Sequence, residues 1–128
     1  MKLNVDCVRD ILLVIESAGF NETLTLSELV KKLPKHSRDE IHYTCVKLYE
    51  GKFINAELKP YPGKAIPMIT EIKSLTYEGH KFIDTVRDNT IWKKTKNTIS
   101  DIASVSFSIL QSIASQLIMD TISGKLTS

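Results

Sequence analysis

The sequence predicts an α+β fold, mainly helical, and three observations predict it. Residues 4–18 and 38–50 carry apolar side chains at the three-and-four spacing of one helix face. Residues 53–72 change to a period of two on either side of Tyr61-Pro62-Gly63-Lys64. From about Ile91 to about Gly124 a long amphipathic pattern closes the chain.

The first helix presents Val5, Val8, Ile11, Leu12 and Ile15 on one side, and Gly19 suits its end. Thr25 with Glu28 forms a capping box, in which each side chain satisfies the other residue's free backbone N–H, so a short second helix runs to about Leu33 and stops before Pro34. Ser37 with Glu40 repeats the device and starts a third helix over about 38–50, with Ile41, Cys45, Leu48 and Tyr49 inward. In the hairpin that follows, proline presets φ at the second turn position and glycine accepts a positive φ at the third, which specifies a type II turn. Thr76 caps a fourth helix that continues to about Arg87. Helix, short helix, helix, hairpin, helix is the order of a winged helix-turn-helix with a two-stranded wing, followed here by a long C-terminal amphipathic helix. The expected organisation is a winged-helix domain over 1–88, an association helix over 89–124 and a tail at 125–128.

A chain of 128 residues, 42% hydrophobic and 25% charged, can bury an ordinary core. Its net charge of +2 from 17 basic and 15 acidic residues establishes no anionic partner. Cys7 and Cys45 sit among apolar neighbours, as small buried hydrophobes do. MKLNVDCVRD places acids where a secretory signal needs an apolar run, so a cytoplasmic protein with reduced thiols is expected.

The stretch LTYEGHKFIDTVRD, with the hairpin and IHYTCVKLYEGKFINAE before it, resembles a small bacterial and prophage-associated winged-helix family of unknown function. Similar members carry LTxxGHxFLDxxR after the wing, matched at Leu75, Thr76, Gly79, His80, Phe82, Asp84 and Arg87, with Ile83 in the leucine place. MKLNVDCVRDILLVIE and IWKKTK are similar to the same family. The resemblance implies the winged-helix fold and, by analogy with other winged helices, DNA binding. One departure concerns the end of the third helix, where Gly51-Lys52 precedes Phe53-Ile54 and the family places glycine directly before the apolar pair.

Glu78, His80 and Asp84 lie within seven positions and invite a catalytic or metal reading. His80 and Asp84 share a helix face, but no second histidine or cysteine lies nearby to complete a tetrahedral set, and no nucleophile accompanies them. The structural reading explains more: Thr76 caps, Gly79 admits a second backbone, Phe82 and Val86 face the core, and His80 is partly buried and hydrogen-bonded. No catalytic residue, metal or cofactor is therefore expected.

For a helix that enters a major groove, Arg38, His42, Tyr43 and Lys47 are the candidate outward contacts, with Lys35 before the helix and Lys59 and Lys64 on the wing. Two positive and three negative side chains on that helix make it a poor phosphate surface by itself. In the tail, Ile102–Met119 holds eighteen uncharged residues, but five serines and two glutamines argue against a membrane span. Trp92, Ile99, Ile102, Ile109, Leu110, Ile113 and Leu117 fall on one side, opposite Asn97, Asp101, Ser104, Ser108, Gln111 and Ser115. The expected partners are double-stranded DNA and further copies of the chain joined through this helix. A protein partner is the runner-up, as for an adaptor, and Trp92 with Lys93, Lys94 and Lys96 would also suit a membrane surface.

Overall fold

A computed structural model describes residues 1–102 and 105–127. Among these, six helices and one sheet follow in the order α1 (Val5–Ser17), α2 (Leu26–Lys32), α3 (Arg38–Glu50), β1 (Ile54–Lys59), β2 (Met68–Leu75), α4 (Tyr77–Val86), α5 (Asn89–Ile99) and α6 (Phe107–Thr127). The fold is thus α+β and mainly helical. The chain divides into two compact units, Met1–Lys81 and Phe82–Ser128.

In the first unit, side-chain caps set the helix starts. The Asn4 carboxamide accepts from the N–H groups of Asp6 and Cys7, and Thr25 with Glu28 forms the full reciprocal box. At α3 only half of the expected box forms: Ser37 accepts from the Glu40 N–H, but the Glu40 carboxylate turns to His36, 3.0 Å away. The core gathers one stripe from each helix, with Cys7, Ile11 and Leu12 from α1, Leu29 from α2, and Ile41, Cys45 and Leu48 from α3. Tyr49, expected inside, is 42% exposed, because the stripe through Ile41, Cys45 and Leu48 does not extend to it.

β1 and β2 pair antiparallel from Ile54↔Leu75 to Lys59↔Met68, with register shifts after Asn55 and after Glu57. The linking turn is the predicted one: Lys64 N–H donates to the Tyr61 carbonyl at 3.0 Å, and Gly63 has φ of +78°. Leu24, just before α2, adds a short bridge to β2 through two backbone hydrogen bonds with Ile72, of 2.9 and 2.7 Å. Sequence periodicity offered no sign of it.

α3 ends in a Schellman motif. Phe53 N–H donates to the Leu48 carbonyl and Lys52 N–H to that of Tyr49, with Lys52 in the left-handed region at φ of +65°. The displaced glycine noted above has this result: Gly51 stands one residue early, and a lysine takes the strained position. Thr76 then closes the base of the hairpin. Its N–H donates to the Phe53 carbonyl at 3.0 Å, its hydroxyl donates to the Lys52 carbonyl at 2.6 Å, and the same hydroxyl accepts from the Gly79 N–H. A β-carbon on Gly79 would stand 2.2 Å from the Phe53 carbonyl oxygen. His80, expected to be partly buried and hydrogen-bonded, is exposed, with Nδ1 3.9 Å from Glu16.

In the second unit the expected single long helix is two. Asp88 caps α5, which ends at Ile99 with Ser100 as its C-cap, and the Ser106 hydroxyl accepts from the Ile109 N–H near the start of α6. Serines compete for helical backbone groups, which is the physical reason for a break in this serine-rich stretch. Ser104 and Ser128 lie outside the described residues. α5 and α6 pack on each other, and the Phe82 and Phe107 rings meet at 5.4 Å between centroids. No helix among the described residues is long and apolar enough to cross a membrane.

Two substitutions at the α3 exit should move stability in opposite directions. Lys52→Gly removes the left-handed strain and should raise the unfolding free energy by about 0.5–1 kcal/mol. Gly79→Ala drives a methyl group into a backbone carbonyl and should lower it by about 2 kcal/mol or more. Chemical denaturation of both variants beside the parent checks the signs.

Candidate nucleic-acid interface

The solvent face of α3 follows from what the other faces bury. Ile41, Cys45 and Leu48 form one buried row, and His42 with Val46 forms a second. What remains outward is Asp39, half-exposed Tyr43 and Lys47, Tyr49 and Glu50, with Arg38 at the first turn.

His42 is therefore not the outward contact that its chemistry suggested. It is 9% exposed, its Nε2 lies 2.8 Å from the Pro67 carbonyl, and its ring stands 6.4 Å from that of Tyr61. With one tautomer its N–H donates to that carbonyl, so His42 braces the loop end of the hairpin against α3. Tyr43 and Lys47 do come together, the ammonium lying 5.4 Å from the ring centroid. Lys47 also donates to Glu50 at 2.9 Å, and that hydrogen bond raises its pKa. Any phosphate at Lys47 must compete with this carboxylate.

The remaining cations surround the helix. Lys59 and Lys64 are exposed on the hairpin, and Lys64 lies 6.0 Å from the Tyr61 ring centroid. Arg38, Lys31 and Lys32 are exposed near the start of α3 and along α2. Lys35 is held by Asp10 at 3.3 Å.

The predicted association residues divide by burial. Trp92 is 4% exposed and Leu110 fully buried; Ile99, Ile113 and Leu117 are intermediate; Ile102 and Ile109 are 54% and 51% exposed. Met119 and Ile122 extend the exposed apolar set on α6. The Lys96 ammonium lies 5.8 Å from the Trp92 ring centroid.

One group escaped the sequence reading. His36, its side chain only 6% exposed, sits with Nε2 2.8 Å from Asp10 and Nδ1 3.0 Å from Glu40. Buried Cys7 adjoins it, so that ligand atoms of Cys7, His36 and Glu40 all lie within 4.8 Å of one another. Burial above all raises the Cys7 thiol to about 11, with nearby Glu40 and Asp10 adding to the rise, and burial raises Cys45 to about 12. The available signal was the spacing: Cys7 with Asp10 at i, i+3, and His36 with Glu40 at i, i+4. The cap role assigned to Glu40 obscured it.

A mainly helical α+β chain with a half-exposed tyrosine–lysine pair on one helix and cations around it is the class that fold and surface define. Residues 2–106 match the model of the family described as hypothetical protein (DUF2513), and the chain belongs to that family. No curated protein and no solved structure matches it.

Removing the brace should loosen the hairpin tip. His42→Ala is expected to cost about 1–3 kcal/mol, since it leaves the Pro67 carbonyl without its donor and opens a gap beside Tyr61. Amide exchange across residues 60–68 should accelerate more than across β1, as read by hydrogen exchange.

Proposed function

We propose that the chain is a non-enzymatic winged helix-turn-helix protein of the phage or prophage regulatory type, which binds double-stranded DNA as an oligomer. The observation that carries this reading is the arrangement of α2, α3 and the hairpin. Two helices joined by the short connection 33–37 lead directly into an antiparallel hairpin, braced on α3 by His42. The Leu24 bridge to β2 extends that sheet in the manner of a winged helix. On this reading α3 enters the major groove, with Tyr43 and Lys47 toward base edges. Arg38, Lys59 and Lys64 contact phosphate, with Lys35 a weaker contact because Asp10 holds it.

Exposed Ile102, Ile109, Met119 and Ile122 favour a second reading, in which the second unit docks a protein partner and the chain is an adaptor. The same side chains serve self-association in the first reading. Burial of Trp92 weighs against an interfacial membrane helix, which would need that ring free to insert.

Fluorescence anisotropy with mixed-sequence duplex DNA separates regulator from adaptor. Affinity should fall steeply with salt, and Lys59→Ala with Lys64→Ala should weaken binding to all sequences alike, while reducing the slope of log K on log salt by about 1–2. No binding at low salt favours the adaptor. Light scattering tests the association surface separately: Ile109→Asp should lower the mass to that of a single chain, and an unchanged mass removes Ile109 from the interface.

A further inference from the structure

We infer that Cys7, His36 and Glu40 form a binding site for a thiophilic divalent cation of the zinc type, with Asp10 orienting the histidine. The inference is independent of DNA binding.

The donor set fits the ion in kind. A thiolate, an imidazole nitrogen and a carboxylate oxygen are all zinc ligands, and a water completes four-coordination on the side where Glu40 reaches solvent. Zinc–sulfur bonds of about 2.3 Å and zinc–nitrogen or zinc–oxygen bonds of about 2.0 Å require donor separations of roughly 3.3–3.8 Å. The His36 Nδ1 to Glu40 distance is 3.0 Å, and no pair among the three donors exceeds 4.8 Å. Glu40, with 27% of its side chain exposed, has the freedom to make the remaining adjustment.

The outer contacts fit as well. When Nδ1 faces the ion, Nε2 carries the proton and donates to Asp10 at 2.8 Å, the arrangement that fixes the tautomer and ring orientation of a ligating histidine. Charge also balances: loss of the Cys7 proton to solvent leaves a thiolate, which together with the Glu40 carboxylate cancels the two positive charges of the ion. Lys35, 3.3 Å away, offsets Asp10. The two pairs come from different elements, Cys7 and Asp10 from α1, His36 and Glu40 from the turn into α3 and its first residues. A bound ion would therefore staple the start of α3 to α1.

The test uses the full chain, stripped with chelator and titrated with Zn²⁺ against a chromophoric competitor. One equivalent should bind, with a rise of several degrees in Tm. Asp10→Asn should weaken affinity about tenfold to a hundredfold and keep the metal–sulfur signature. Co²⁺ should give a thiolate-to-cobalt charge-transfer band in the near ultraviolet, and Cys7→Ser should abolish it. Absence of that band in the parent protein overturns the proposal, even where Cys7→Ser does not fold. Zinc uptake that is equal in the parent, Cys7→Ser and His36→Gln also overturns it, because the ion would then sit elsewhere.

Discussion

At the exit from α3, two stretches of main chain approach more closely than any side chain between them would allow. The Phe53 carbonyl receives the Thr76 N–H, and the bare Cα of Gly79 passes over the same oxygen. The Lys52 carbonyl receives the Thr76 hydroxyl, which in turn accepts from Gly79. Three elements are fixed at this point: the end of α3, the open end of the hairpin and the first turn of α4. Shifting any one of these segments would break the hydrogen bonds that it shares with the other two. The left-handed φ at Lys52 persists for the same reason, since the surrounding hydrogen bonds leave the residue no other conformation.

From that anchor the hairpin projects as a lever whose angle a second contact sets. Main-chain pairing holds the strands together, but a two-stranded ribbon is only marginally stable by itself. His42 supplies the support toward the tip through Pro67 and the Tyr61 ring, and Leu24 supplies it on the outer edge of β2. α3 consequently has two buried faces, one toward the helices and one toward the hairpin, and a limited arc reaches solvent. This narrowness determines which side chains can touch a ligand.

The sequence was most legible where its instructions are local. The Thr25–Glu28 box, the Tyr61–Lys64 turn, the Thr76 cap and the need for glycine at 79 each depend on residues a few positions apart or on a conformation only one residue type adopts. Features that depend on a partner distant in the chain were not. A single apolar stripe locates the helix-facing side of α3, but the hairpin-facing side includes a histidine, whose polarity marks it as solvent-facing until Pro67 arrives to satisfy it. Glu40 looked like a cap because Ser37 stands three residues before it; the competing His36 contact is equally local, and two plausible partners cannot be ranked without geometry. In the tail, an apolar count without charges reads as one helix, although Ser100 and Ser106 stand at the two inner helix ends, where the Ser100 hydroxyl donates to the Asn97 carbonyl and the Ser106 hydroxyl accepts from the Ile109 N–H.

Charge on the narrow outward arc of α3 bears on what kind of recognition the fold can support. Asp39 and Glu50 flank Tyr43 and Lys47, and Lys47 is already bonded to Glu50. Phosphate near that arc meets two carboxylates, so generic attraction has to come from the hairpin and the first two helices' surroundings, where Lys31, Lys32, Arg38, Lys59 and Lys64 stand exposed. Non-specific affinity scales with the number of phosphates neutralised, and five peripheral cations set against two central acids give little of it. An acid at the centre can nevertheless accept a hydrogen bond from a cytosine amino group, and tyrosine and lysine can meet other base edges. On the proposed reading, the helix then contributes discrimination and the rim contributes attraction. On the same proposed reading, weak attraction from a single copy would make pairing of two copies on two half-sites the physical route to useful affinity, because the second copy would bind at the high effective concentration that the first provides.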